Sequence, residues 1–278
     1  MTTAQKIIKY LAIAFAMFLV FTIISSILGG IYGLAGVLGL KKNTNTENVE
    51  IGTKQSEQIQ ELTTYLDIDI NYSNLTIKTG EDFVVQSSNN DIEYAQEGNK
   101  FKVKEKGYIK FSKTAIGDVV IYIPKELVFE TVDIDTGAGT VDIETLRTDN
   151  LILNLGAGET TIKNIISNKT KIDTGAGKLR IKSGNINDLD FDMGVGETDI
   201  TAKLTGTNKI DTGIGNLKLQ LLGDKQDYKF NISKGIGEVK IEDKSIIEDQ
   251  TIGDGKNNII ISGGVGQIKV GFIEDKDI

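Results

Sequence analysis

A Gly-x-Gly triplet begins at Gly137, Gly156, Gly175, Gly194 and Gly213, four equal intervals of 19 residues, and returns at Gly235 and Gly264 after intervals of 22 and 29. A fixed period of this length marks a chain built by stacking one short unit on the next. The flanking columns are as regular as the triplets. Three residues before each stand Ile134, Leu153, Ile172, Phe191, Ile210, Ile232 and Ile261. Six residues after each first glycine stand Ile143, Ile162, Ile181, Ile200, Leu219, Ile241 and Val270. Around these columns apolar and polar residues alternate, as in TVDIET and KLRIKS, which is strand periodicity.

One unit cannot bury its apolar columns alone. Stacking places equivalent residues in ladders about 4.8 Å apart and closes a narrow continuous core. The expected fold is therefore all-β, a β-solenoid resembling a single-stranded β-helix, with two short strands per 19-residue unit and ten or so layers, about 50 Å long. Glycine belongs at the turn because a sharp reversal uses positive φ or close backbone approach. A second period lies on the first: IDTGAG at 134–139 and 172–177 and IDTGIG at 210–215 recur every 38 residues. Either adjacent layers alternate or one full coil holds two units.

Composition narrows what such a stack can do. The 278 residues include no His, Cys or Trp, one Pro (Pro124) and 31 Gly. Without Cys there is no disulfide framework, thiolate metal site or lipidated cysteine; without His the commonest general base and transition-metal ligand is missing. The net charge of −8 hides an asymmetry: residues 1–42 carry four Lys and no acid, leaving 27 Lys and Arg against 39 Asp and Glu in the remainder. An acidic body disfavours nucleic acid as a partner.

Tyr10 to Leu40 is a run of 31 residues without a charge. A bilayer is crossed by about 20 apolar residues, and a signal-peptide core has roughly 7–15. The run is expected to be one transmembrane helix preceding the solenoid. Gly29 and Gly33 form a GxxxG step, the spacing that lets two membrane helices approach closely. The expected organisation is an anchor over 1–42, a polar linker over 43–61, a less regular β part over 62–132 capping one end, and the repeat solenoid over 133–278. The charged tail EDKDI at 274–278 is expected to protect the other end.

Three motifs invite chemistry. Asp-Thr-Gly-Ala at 135–138 and 173–176 matches the aspartic-protease signature, but that chemistry needs two carboxylates sharing one proton. Here the motif belongs to a column reading Asp135, Asn154, Asp173, Asp192, Asp211, Ser233 and Ser262, residue types that bond nearby backbone N–H groups in turns. If units stack singly, these aspartates form a ladder, and a calcium ladder of Asp135, Asp173, Asp192 and Asp211 is the alternative to structural turns. No unit reproduces the GGxGxD pattern of calcium-binding β-rolls. A polysaccharide lyase or hydrolase would need a cluster that departs from the repeat, and none does. Insertions near GDKQDY (223–228) and DKSIIEDQTIGDGKN (243–257) are expected to be loops on neighbouring layers.

Residues 66–83 (LDIDINYSNLTIKTGEDF), 117–127 (GDVVIYIPKEL) and the DTGAG-type units from 135 to 270 resemble the bacterial family of putative adhesins with a repetitive β-strand domain of unknown function, LiaG-like and membrane-anchored. The resemblance covers about three-quarters of the chain. It implies an extracytoplasmic solenoid in a Gram-positive-type envelope, and it brings no catalytic, binding or cofactor residues with it. The expectation is a non-enzymatic, surface-exposed interaction module held in the cell membrane through residues 10–40, needing no cofactor and meeting a cell-wall, extracellular or membrane-protein partner. The alternative is an accessory of envelope-stress signalling acting through a membrane-protein partner.

Overall fold

The computed structural model describes residues 63–106 and 117–273, all within one compact unit, Ile51–Ile278. The 10–40 run, the linker over 43–61 and the tail 274–278 lie outside the described residues. Among the described residues no helix is long and apolar enough to cross a membrane.

The strands join in one mostly parallel sheet that winds upon itself. Its middle is a continuous extended path, Phe129–Ile181, followed by Gly184–Asn187, Leu189–Thr205 and Thr207–Leu222. Neighbouring turns pair in parallel at an offset of 19: Asp173 opposes Asp192, Gly177 opposes Gly196, and Ile214 lies on Val195. One 19-residue unit is therefore one full coil.

Each coil has three paired sides rather than two. One runs into the Gly-x-Gly corner, as at 170–174, and one leaves it, as at 176–181. The third closes the coil, as where 165–167 lies on 184–186. Its inward residues include Leu146, Thr148, Ile165, Ser167, Ile186, Ala202 and Leu204, all buried. Small and hydroxyl residues there blur the apolar alternation that reveals the other two sides. The isoleucine ladders, Ile134, Leu153, Ile172, Phe191 and Ile210 among them, are fully enclosed, each contributing roughly 1.5–3 kcal/mol by burial.

The 38-residue period is an alternation of layers. Just before each triplet stand Thr136, Leu155, Thr174, Met193 and Thr212; four after each first glycine stand Val141, Thr160, Leu179, Thr198 and Leu217. A coil with Thr at the first place has a large apolar residue at the second, and a coil with Leu or Met at the first has Thr at the second. The first four coils of both columns line one corner void of ≈ 20 Å³, so large and small side chains interdigitate to fill it. The threonines also tie layers together: Gly194 N–H donates to Thr174 Oγ1 at 3.2 Å and Gly264 N–H to Thr212 Oγ1 at 2.7 Å.

Close approach of the corners demands glycine. A Cβ on Gly215 would stand 1.8 Å from the Gly196 carbonyl oxygen, and its φ of +139° is one that L side chains rarely adopt.

The order of layers in space departs from the order in sequence at both ends. Tyr65–Ile70 and Asn74–Gly80 form a coil lying directly on residues 131–136 and 141–143. The next coil, Lys100–Glu105 with Asp118–Pro124, does not follow it inward but covers it from outside. At the other end the last coil, Asn257–Ser262 with Val265–Ile273, lies on Thr207–Leu222. The coil that precedes it in sequence, Tyr228–Ser233 with Ile236–Ile241, lies beyond it, outermost. Nine layers result, roughly 40 Å of stack at about 4.8 Å each.

The insertions are explained by this order. Tyr228 must be reached from Leu222 across an intervening layer, and the short 3-10 helix Lys225–Asp227 makes part of the crossing. The longer insertion forms Lys244–Ile246 and Gln250–Ile252, antiparallel to the outer edge of the 228–241 coil. The two insertions meet there: a Cβ on Gly255 of the longer one would stand 2.1 Å from the Asp227 carbonyl carbon of the shorter. The stack's end is covered by these strands, and the last strand in sequence, Val265–Ile273, is interior rather than terminal. Val84–Ser87 and Ile92–Glu97 play the same part on the outer amino-terminal coil.

Aromatic rings gather at the two ends, where a core layer has no coil above it. Phe83 meets Phe101 edge-on at 5.2 Å and Phe129 at 6.4 Å; Phe272 meets Tyr228 at 5.9 Å and Phe230 at 6.1 Å.

Candidate interaction surface

The repeat turns outward-pointing residues into columns, so each side of the coil is a strip of one residue type per layer. On the side leading into the corner, the column in spatial order reads Lys104, Asp69, Asp135, Asn154, Asp173, Asp192, Asp211, Ser262 and Ser233. The structure thus brings Asp173, Asp192 and Asp211 onto consecutive coils. It separates Asp135 from them by one coil, where Asn154 Nδ2 donates to Asp135 Oδ1 at 2.5 Å.

Burial and the neighbouring carboxylates together favour protonation in this column. The Asp192 carboxyl is pushed above the usual aspartate range, first by partial burial, then by the hydrogen bond with Asp173 and the charges of Asp173, Asp211 and Asp190. Asp133 is raised for similar reasons, burial first and then the charges of Asp135 and Asp67. Lys171 Nζ, 3.0 Å from Asp173, gives local relief. Asp67 and Asp69 are met by Lys100 and Lys104.

Among the described residues no three Asp, Glu, His or Cys side chains converge as a metal site would require. Of the four ladder aspartates, Asp173, Asp192 and Asp211 stand one per layer on consecutive coils, and Asp135 stands one coil apart from them. The two Asp-Thr-Gly-Ala aspartates, Asp135 and Asp173, stand two layers apart with Asn154 between, about 9.6 Å along the stack, and are not brought together as a dyad sharing one proton requires. An open groove of ≈ 440 Å³ runs beside them, lined by Asp69, Asn71, Asp135, Asn154, Asp173 and the corner residues next to them.

The side leaving the corner is different. There opposite charges alternate between layers: Lys163 with Glu144 at 3.6 Å, Lys178 with Glu197 at 2.8 Å, and Arg180 with Glu159 at 3.4 Å and Asp199 at 4.0 Å. The Glu144 carboxyl is held below the usual glutamate range, first by the Thr79 backbone N–H and then by Lys163. This side is largely neutralised internally, while the aspartate side is not.

Between the two sides runs the corner. Its middle residues, in spatial order, are Ala138, Ala157, Ala176, Val195, Ile214, Val265 and Ile236, growing in size toward the carboxy-terminal end. Ile214 is 37% and Ile236 61% exposed.

Sequence reading missed one residue that organises the amino-terminal end. Glu105 is 1% exposed, and its Oε2 accepts from the N–H groups of Asn71, Tyr72 and Ser73 at 2.7, 2.8 and 3.2 Å. Its Oε1 accepts from Ser73 Oγ at 2.6 Å and Asn89 Nδ2 at 2.5 Å. The corner of that coil is Asn71–Ser73 in place of Gly-x-Gly, and the carboxylate satisfies it. Only the missing glycines in the first coil signalled that something else must do so.

A family model described as Toastrack DUF4097 matches residues 40–261. The sequence matches none of the curated proteins. Two solved structures are similar. One is a putative adhesin from Bacteroides fragilis NCTC 9343, 15% identical, over 78% of this chain and 95% of that one, with a TM-score of 0.39. The other is a putative cell adhesion protein from Clostridium sporogenes ATCC 15579, 14% identical, over 79% of this chain and 98% of that one, with a TM-score of 0.34.

Proposed function

The chain belongs to the Toastrack DUF4097 family, and we propose that it is a surface-exposed interaction module without catalytic activity, held in the cell membrane through residues 10–40 with the solenoid on the extracytoplasmic side. The observation that carries this reading is the contrast between the two long sides of the coil. An enzyme concentrates its chemistry where the repeat breaks; here the distinctive chemistry lies along the repeat, with aspartate in five of the nine layers and Asp173, Asp192 and Asp211 on consecutive coils about 4.8 Å apart. A regular acidic strip suits a repetitive partner, cationic or bridged by cations, such as a cell-wall polymer.

The test is co-sedimentation of residues 51–278, the compact unit, with isolated cell walls, with and without calcium. Saturable pelleting that weakens when Asp173, Asp192 and Asp211 are all changed to Asn is expected. Absence of pelleting under both conditions would sink wall binding and turn attention to a membrane-protein partner at Gly29 and Gly33. Pelleting that ignores the triple change would move the contact to another side of the stack.

A further inference from the structure

At the carboxy-terminal end the layers are seated in the reverse of their chain order. Coil 228–241 comes first in the sequence yet lies outermost, and coil 257–273 is wedged between it and Thr207–Leu222. Among the described residues, the strands of coil 228–241 pair only with the wedged coil and with the short strands Lys244–Ile246 and Gln250–Ile252 that follow it. Side-chain ties run the same way. Asn231 Nδ2 donates to Asn258 Oδ1 at 2.6 Å, and Gln267 Nε2 donates to Glu238 Oε2 at 2.6 Å. The rings of Tyr228 and Phe230 meet Phe272 at 5.9 and 6.1 Å. Tyr228, Phe230, Ile232, Val239 and Ile241 are buried, and the wedged coil supplies the layer beneath them.

The outer coil is not shaped for the inner place. The wedged coil continues through Gly271, Phe272 and Ile273, which lie in register on Gln220, Leu221 and Leu222. Coil 228–241 has no such continuation: Glu242 takes a φ of +52° and the chain reverses into Lys244–Ile246. The surface presented by 207–222 is therefore met along its whole length by 257–273 alone.

We propose that coil 257–273 is a closing element: coil 228–241 and both edge strands join the stack only once it is seated, and are released whenever it is displaced. In a solenoid whose coils stack in chain order, an end frays one layer at a time, because each coil rests on the one before it. Here the chain leaves the stack from the second layer, so loosening it from that side opens two layers together. Without 257–273, the apolar side chains of 228–241 have no layer to cover them, and an incomplete end is marked by exposed apolar surface.

The test is amide hydrogen exchange, on the full chain and on the chain ended after Lys256. Amides of 228–241 are expected to exchange on the order of a hundredfold faster in the shortened chain, while those of 189–204 change by less than about twofold. Retained protection of 228–241 would overturn the proposal, since the coil would then seat without the closing element.

Should the shortened chain not fold at all, a full-length variant decides. Lys218 and Lys269 oppose each other on neighbouring parallel strands, about 4.8 Å apart and within the reach of a disulfide, in a chain that has no other Cys. In Lys218→Cys with Lys269→Cys, oxidation fixes the closing coil to the stack through residues outside 228–241. Exchange of 228–241 should then slow on the order of tenfold relative to the reduced form. No slowing of 228–241, whether or not 257–270 slows, would overturn the proposal, because the outer coil would then open independently of the one beneath it.

Discussion

The two ends of the stack follow one plan and secure it by different chemistry. At each, the coil nearest the chain terminus lies second from the end, the coil adjacent to it in sequence covers it, and antiparallel strands close the edge. At the amino-terminal end the order is held by groups that leave the repeat: the buried Glu105 carboxylate with five donors, and the ion pairs of Lys100 with Asp67 and Lys104 with Asp69. At the carboxy-terminal end the contacts are largely those of the repeat, extended by short edge strands and an aromatic cluster. A repeat stabilises layers without specifying their sequence of stacking; specificity has to come from residues that leave the pattern.

The contrast can be broken most severely through the glycines of the wedged coil. Gly266→Ala puts a Cβ 1.8 Å from the Gly215 carbonyl oxygen at a φ of +143°. A loss of about 4 kcal/mol is expected, from backbone strain and overpacking together, read as a fall in the denaturant midpoint. A loss below about 1 kcal/mol would show that the corners stack more loosely than these distances imply.

At the opposite end, Glu105→Ala orphans three backbone N–H groups, Ser73 and Asn89 at once. A cost of about 3 kcal/mol is expected, with faster amide exchange at Asn71, Tyr72 and Ser73, and Glu105→Gln should restore about half of it. Amides of 228–241 should be unaffected; if they lose protection too, the ends are coupled and the comparison fails.

Ile246→Asp tests the edge strands alone. Burying a carboxylate beside Val239 is expected to cost about 2 kcal/mol locally, lowering protection in 228–241 while that of 65–80 stays as it was.

The smallest effect lies between the ends. Because the folded Asp192 carboxyl titrates above its unfolded value, the native state binds more protons there, and its ionisation opposes folding as pH rises. Asp192→Asn should therefore raise stability at pH 7 by a few tenths of a kcal/mol, discounted for its exposure. The advantage should shrink as pH falls through the raised native value toward about 3.9. An advantage that grows on acidification would mean that the column is stabilised by its charge, as a bound cation would make it.

Much of the middle of the molecule was legible in the residues. Ile134 through Ile210 and Ile143 through Leu219 are the enclosed ladders their spacing announced, and the glycines stand where backbones meet. The ambiguity of the 38-residue period was resolvable in principle from the reciprocal columns of Thr136, Leu155, Thr174 and Val141, Thr160, Leu179, since complementary sizes mean layers that interlock. The third side was not legible, because Thr148, Ser167 and Gly184 carry no apolar signal. Of the candidate ligands, Asp173, Asp192 and Asp211 do form consecutive rungs, while Asp135 is set apart by Asn154.

The sequence by itself determined the repeat length, the parallel stacking, the core columns and the glycine corners, because each is a local, periodic requirement met again in every unit. Only the tertiary structure decided which layer lies on which at the ends, where the acidic strip and the ion-paired strip fall around the coil, and what a lone Glu105 is for. Their outcome rests on contacts between residues 29 to 51 positions apart that no period can encode.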